Sequence, residues 1–170
     1  MSRRNALVFP CDDAKVSVAQ ENGEYRVLAS EDIAKGDFVL AVEGRLVKVP
    51  SKYSVQVGDD EHIDIDTPEE VEKYPERYLW RFLNHSPKPN GILKGRFLYA
   101  LESIVSGEEI TFNYNANEYD MAEPFLCWQT GQSVQGFKHL SDEEREALRD
   151  YVSDHLKPFL PHPGPRVLDE

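Results

Sequence analysis

Apolar and polar positions alternate through Val16 and Val18, and again through Tyr25, Val27 and Ala29, with Asn22-Gly23 between the two segments. A period of two buries one face of each segment, and Asn-Gly favours the left-handed backbone of a two-residue turn, so a β-hairpin is predicted. Further short strands follow from Phe38-Val39-Leu40-Ala41-Val42 after the turn at Lys35-Gly36-Asp37, and from Leu46-Val47-Lys48-Val49 after Glu43-Gly44. Tyr53-Ser54-Val55-Gln56-Val57 alternates once more and stops at Gly58-Asp59-Asp60. The pattern then changes. Thr67-Pro68-Glu69-Glu70 has a capping hydroxyl, a first-turn proline and a glutamate three residues on, which predicts a short helix through Val71 to Tyr74. Ser141-Asp142-Glu143-Glu144 repeats that signal, and Ala147, Leu148, Tyr151, Val152 and Leu156 recur at helical spacing, so a helix over 141–157 is predicted. Pro158, Pro161, Pro163 and Pro165 follow it, and an extended tail is expected from residue 158.

With 170 residues the chain suits one catalytic or binding unit with small appendages. Charged residues make up 29% of it and the net charge is -12, which disfavours direct binding to a nucleic-acid backbone and favours a basic protein or peptide. No apolar run is long enough for a membrane span or a signal peptide, so an intracellular location, cytoplasmic or nuclear, is expected. Cys11 and Cys127 are expected as free thiols of a reducing compartment. The acids around Ile63 and Ile65 lack the spacing and central glycine of a calcium loop, and no metal is expected there. No feature of the sequence bears on oligomeric state.

Two stretches carry the candidate chemistry: Arg81-Phe82-Leu83-Asn84-His85-Ser86-Pro87-Lys88-Pro89-Asn90, and Gly107-Glu108-Glu109-Ile110-Thr111-Phe112-Asn113-Tyr114. Together, and in this order, they resemble the two signature motifs of the SET domain family, RF-x-NHS-x-x-PN and GEE-[LI]-T-[FY]-x-Y. Similarity extends outward. Ala29 to Asp37 looks like the family's A-x-x-x-I-x-x-G-[DE] lead-in, and Pro124-Phe125-Leu126-Cys127 and Gly136-Phe137 resemble the start and end of a post-SET segment. The resemblance covers roughly residues 24 to 137. It implies a mainly β, β-clip-like fold of several small sheets in which the C-terminal motif threads in knot-like fashion beneath the loop carrying Asn84-His85, plus a C-terminal helix. The expected organisation is an N-terminal flank with a hairpin strand over 1–23, a SET domain over 24–118, a post-SET-like segment over 119–140, a helix over 141–157 and a proline-rich tail over 158–170.

The activity implied by the resemblance is methyl transfer from S-adenosylmethionine to the ε-amine of a protein lysine, on a histone or another basic protein. Such a site must align two reactants and keep the amine neutral, for which a narrow aromatic channel is suited. By resemblance, Tyr114 is the active-site tyrosine and Tyr53 lines the same channel; each has structural packing as its other reading. Phe112 and Tyr99 also belong to the channel wall. Phe112 lies two residues before Tyr114, on the same strand face, at the family's Phe/Tyr switch position, and its missing hydroxyl leaves room for di- or trimethylation. Asn84 and His85 are expected to hold the cofactor, His85 by position and not by proton transfer. Trp128 either lies against adenine or anchors the C-terminal helix.

The sequence departs from the family in three places. The cysteines of the post-SET zinc site align with Cys127, Gln129, Val134 and Pro87, so four-coordinate zinc is excluded there and packing of Val134 to Leu140 is the expected substitute. The glycine-rich cofactor loop aligns with Glu24-Tyr25-Arg26, making Arg26, Val27 and Leu28 the expected cofactor contacts, with the Arg26 guanidinium able to pair with the cofactor's carboxylate. Pro87 stiffens a loop that usually carries cysteine. An arginine in that loop also permits a different reading, a SET-like fold that has lost methyl transfer and serves as a binding module or a catalyst acting on a small molecule, and the acidic surface permits a third, a histone- or peptide-binding adaptor without catalysis.

Overall fold

Asn22 (φ 52°) and Gly23 (φ 81°) adopt the two left-handed conformations of a tight hairpin turn, and they join β2 (Val16–Glu21) to β3 (Glu24–Ala29) in full register. The computed structural model describes residues 15–162 and the backbone of one earlier strand, β1 (Ala6–Phe9), which pairs with β2. Cys11, the rest of the segment before residue 15 and the end of the tail lie outside the described residues.

Two more three-stranded antiparallel sheets follow. One has the order β4 (Phe38–Ala41), β10 (Phe97–Ala100), β9 (Gly91–Lys94); the other has the order β5 (Arg45–Val47), β7 (Glu61–Asp64), β6 (Val55–Gly58). Their inner faces, with Val39, Val55, Ile63, Leu93 and Leu98, join Val18, Val27 and Trp80 in one core. Trp80 can be buried because its indole N–H donates to the Glu43 carbonyl at 2.9 Å.

Two strands of the expected set are shorter than the alternation implies. The strand expected over 53–57 starts only at Val55, and Ser54, Val55 and Gln56 are buried in succession. The amide and carbonyl of Gln56 are taken by Glu118 and Asn117 and its side chain by Tyr119, a polar demand that overrides the period-two pattern. The strand expected over 46–49 ends at Val47, leaving Val49 exposed.

The two motif segments meet in a parallel pair, β8 (Asn84–His85) beside β11 (Thr111–Phe112). Asn90 secures the pair, its amide donating to Glu109 O at 2.8 Å and its oxygen accepting from Thr111 N at 3.0 Å. Gly91 lets β9 come close, since a Cβ there would sit 2.9 Å from the Thr111 carbonyl. The stretch before β11 also runs alongside β3, with Ile110 N donating to Val27 O at 2.8 Å.

Helix α1 (Pro68–Lys73) starts as expected, Thr67 Oγ1 accepting from Glu70 N. A 3-10 helix over Pro75–Phe82 then delivers Arg81 and Phe82 to β8.

The single helix expected over 141–157 is corrected. Its capping box forms, but α2 (Asp142–Ala147) stops after six residues and a 3-10 helix resumes at Asp154–Phe159. The interruption is tertiary. Ser153 donates its amide to Ala116 O at 2.9 Å, and its hydroxyl lies 3.0 Å from Leu93 O and 2.6 Å from Asn117 Oδ1, contacts made with extended backbone at Ser153. Val152 and Leu156 are buried as their spacing required, but with Phe137 in a second core. Pro158 lies inside the 3-10 helix, so the extended tail begins at Leu160 and not at 158.

Candidate active site

The parallel pair sets His85 beside Phe112, and the chain then leaves the strand and enters a 3-10 turn at Tyr114–Ala116. Tyr114 therefore does not share a strand face with Phe112 as expected, yet the turn still brings the two rings to 4.8 Å. His85 Nδ1 accepts the Tyr114 amide at 3.0 Å, which leaves the imidazole proton on Nε2. The Tyr114 hydroxyl donates to the Leu83 carbonyl. One motif thus orients the key side chain of the other at both ends.

Two cavities meet at this tyrosine. The narrow one, about 80 Å³, is lined by Tyr53, Ser54, Trp80, Phe112, Tyr114 and Glu118. The wide one, about 640 Å³, is lined by Tyr25, Phe82, Asn84, His85, Phe125 and Trp128. Tyr53, Arg81 and Tyr114 belong to both. Tyr25 stacks on Phe82 at 4.6 Å, and Arg81 lies 4.4 Å over the Phe82 ring, its buried Nε having no hydrogen-bond partner among the described residues.

Burial holds Tyr114 and His85 in their neutral forms near neutrality. Burial, reinforced by the charges of Glu118 and Glu109, pushes the Tyr114 hydroxyl well above the ordinary tyrosine range, so it stays protonated. Burial pushes His85 down to about 4, so the imidazole is neutral, which suits a positioning group. Burial also lowers His62 and His155. For a base whose folded value lies below its unfolded one, stability is present above the unfolded value near 6.5 and is lost as pH falls through it. Glu118, whose buried carboxyl is raised to about 7, contributes in the opposite sense over the same range. In Glu118→Gln protein the urea midpoint is therefore expected to drop between pH 7 and pH 5, and an unchanged midpoint there would show that these imidazoles are not held neutral.

Of the residues singled out from the sequence, Tyr114, Tyr53 and Phe112 gather round the narrow cavity, and Asn84, His85 and Trp128 round the wide one. Four do not line either. Arg26 pairs with Glu21 on the neighbouring strand, Val27 is wholly buried in the core, and Leu28 bridges to Glu109. Tyr99 stands on the outer face of its sheet, 6.1 Å from Phe38 and within reach of Lys94, because Leu98 takes the inner face. The hairpin loop contributes Glu24 and Tyr25 to the wide cavity in their place. Asn84 turns its amide to Tyr25 O and Glu109, both at 2.8 Å, so that group fastens the loop. Trp128 does not anchor the C-terminal helix; its indole is 87% exposed at the rim.

Lining residues given no role on sequence grounds include Arg81, Phe82, Phe125 and Glu118. The first three stand inside or beside the matched motifs and are open to detection there, whereas Glu118 carries no sequence signal of its own. Cys127 is a buried free thiol in a tight turn, its carbonyl accepting from Gly131 N at 2.7 Å. Among the described residues no three His, Cys, Asp or Glu side chains are grouped to hold a metal. The turn lies in the hairpin of β12 (Phe125–Leu126) and β13 (Ser133–Val134), whose Val134 is buried.

Small sheets, a two-residue parallel ladder joining two motif segments, and a tyrosine where a wide aromatic cavity meets a narrow one define the class of fold. The chain belongs to the SET domain family, whose model matches residues 24–115. Among curated relatives it is similar to a histone-lysine N-methyltransferase, H3 lysine-36 specific, of Yarrowia lipolytica, with 30% identity over 135 residues, 71% of this chain and 17% of the relative. It is also similar to the variant-silencing SET domain-containing protein of Plasmodium falciparum, with 31% identity over 99 residues, 54% of this chain and 4% of that protein. The chain thus spans less than a fifth of the length of these relatives. The methyltransferase domain of human histone-lysine N-methyltransferase SETMAR superposes with a TM-score of 0.48 at 18% identity, over 68% of this chain and 54% of that one. Among the described residues no helix is long and apolar enough to cross a membrane.

Proposed function

We propose that this protein transfers a methyl group from S-adenosylmethionine to the ε-amine of a lysine in a basic protein, with histone H3 as the first substrate to test. The observation that carries the reading is the meeting of two cavities of unequal width at Tyr114. The wide cavity has the volume of a small-molecule site and fits the donor. Tyr25, Phe82, Phe125 and Trp128 offer faces for a planar base, and Arg81 offers a cation whose buried Nε lacks a partner among the described residues. When bound, S-adenosylmethionine supplies an electrophilic methyl group on a sulfonium.

The protein's part is alignment and exclusion of water. With its proton committed to Leu83, the Tyr114 hydroxyl has its lone pairs left to accept from an amine, and the Leu83 and His85 contacts fix where that hydroxyl lies. Tyr53, Trp80 and Phe112 wall a passage wide enough for an alkyl chain. Phe112 carries no hydroxyl to hold a water or restrain the amine, which leaves room for di- or trimethylation. The net charge of -12 attracts a lysine-rich partner, and a histone substrate would put the protein in the nucleus.

The turn of Arg26 toward Glu21 and away from the lining supports this reading over a fold with a blocked donor site. The test is incubation of the purified protein with methyl-labelled S-adenosylmethionine and recombinant histone H3, free and in nucleosomes. Label on lysine, located by mass spectrometry, is expected; no transfer to either form, nor to bulk basic proteins, removes the reading. Trp128→Ala is expected to weaken donor affinity roughly tenfold, in the range for loss of one stacking ring. The melting temperature should not change, because the indole is 87% exposed.

A further inference from the structure

The narrow cavity holds a group that no part of the alignment chemistry uses. Glu118 follows the Tyr114–Ala116 turn, is only 8% exposed, and lines the cavity with Tyr114 and Phe112. Its Oε2 accepts from Gln56 N at 2.7 Å and from Asn117 Nδ2 at 2.8 Å. Asn117 is itself fixed, its amide donating to Gln56 O at 3.0 Å and its oxygen lying 2.6 Å from Ser153 Oγ. Among the described residues Oε1 has no hydrogen-bond partner and the carboxyl makes no ion pair. A buried carboxyl normally uses both oxygens on partners, so one oxygen left over beside an aromatic passage points to a ligand that brings its own donor.

We infer that Glu118 is the proton acceptor for the substrate amine, taking one ammonium proton on its free oxygen. This rests on the methyl-transfer reading above. Lysine arrives protonated at neutral pH and cannot attack until it holds a lone pair. In the step one N–H bond of the ammonium breaks and one O–H bond forms on Glu118, the N–H electron pair stays on nitrogen, and a charged pair becomes a neutral amine beside a neutral acid. The acid returns its proton to water before the next turnover. Burial pushes the Glu118 carboxyl up to about 7 against the opposing pull of the Gln56 and Asn117 donors, and an acceptor tuned near working pH is the efficient one.

The other titratable groups on this cavity are Lys52 and Tyr53 before β6, Arg81 from the 3-10 helix, Tyr114 and Glu123. His155 approaches from behind, its Nε2 lying 2.6 Å from the Asn117 carbonyl.

Glu118→Gln keeps an oxygen for the two existing donors and removes the basicity. With S-adenosylmethionine and recombinant histone H3 as probes, the wild-type kcat is expected to fall below a pKa near 7. The variant should lose about 100-fold at pH 7.5 with KM little changed. Its rate should then climb with pH toward the lysine's own pKa. A variant within threefold of wild type with the same pH profile overturns the inference while leaving methyl transfer intact.

Wild-type protein that transfers no methyl group defeats the methyl-transfer reading instead, and the acceptor is then judged by calorimetry. At pH 8, n-butylammonium is titrated into wild-type protein in two buffers of different ionisation enthalpy. An internal acceptor predicts no net proton released to buffer, whereas release of one proton per amine, or no binding, counts against it.

Discussion

Tyr114→Phe is expected to reduce methyl transfer by about 100-fold, the cost of a small misplacement of reacting groups, while the protein remains folded. The lost hydroxyl is the group that joins the two cavities, and among the described residues its hydrogen bond is to the Leu83 carbonyl. Leaving that carbonyl without its donor costs about 1–2 kcal/mol, too little to unfold a domain of this size. The ring itself keeps its place, packed on Phe112 at 4.8 Å, on His85 at 5.3 Å and on Phe125 at 5.7 Å. Steady-state kinetics should therefore show kcat reduced with donor affinity nearly intact. A variant as active as wild type would mean that the hydroxyl neither orients nor contacts the amine.

Phe137→Ala has the largest expected effect on stability, about 3–5 kcal/mol, as for other wholly buried aromatic side chains. Phe137 is the centre of the second core with Val152 and Leu156, packed by Tyr119, Leu140, Leu148 and Leu160, and the Arg145 guanidinium lies 4.9 Å over its ring. Gly136 just before it has φ 113° and approaches Tyr119 so closely that a Cβ would fall 2.6 Å from its carbonyl oxygen, so the chain is held there by backbone fit as well. This core follows directly on the β12–β13 hairpin that supplies Phe125, Cys127 and Trp128 to the wide cavity. We propose that this packing holds the segment in place. Loosening it should weaken donor binding along with stability, which chemical denaturation and calorimetry on the same variant would both register. A Phe137→Ala variant that loses stability yet binds the donor as wild type does would contradict that assignment.

Much of this was legible in the chain because local chemistry and tertiary need agree. Asn22-Gly23 forms the predicted turn, Thr67 and Ser141 cap the predicted helix starts, and the two motifs pair side by side. The failures are places where a buried polar contact outvotes periodicity. The apolar spacing of Val152 and Leu156 marked their burial correctly, but Ser153 spends its amide and hydroxyl on other elements and the helix cannot pass through it. Gln56 likewise draws its neighbours inside and shortens the strand that Tyr53 was expected to open, leaving Tyr53 58% exposed at the cavity mouth. The direction of Arg26 depended on Glu21 across the hairpin, a cross-strand neighbour that linear spacing does not weigh. Glu118 lay beyond motif reading because its meaning comes from the cavity it faces.

We propose that the wide aromatic cavity seats a sulfonium donor beside Tyr114. Isothermal titration of the purified protein with S-adenosylmethionine tests it most directly, since it requires no knowledge of the substrate. Saturable binding of one molecule per chain, weakened by Trp128→Ala and unaffected by Tyr99→Ala, is the predicted result. Absence of binding at millimolar donor, or equal binding by the Trp128 variant, would show that this cavity is not the donor site.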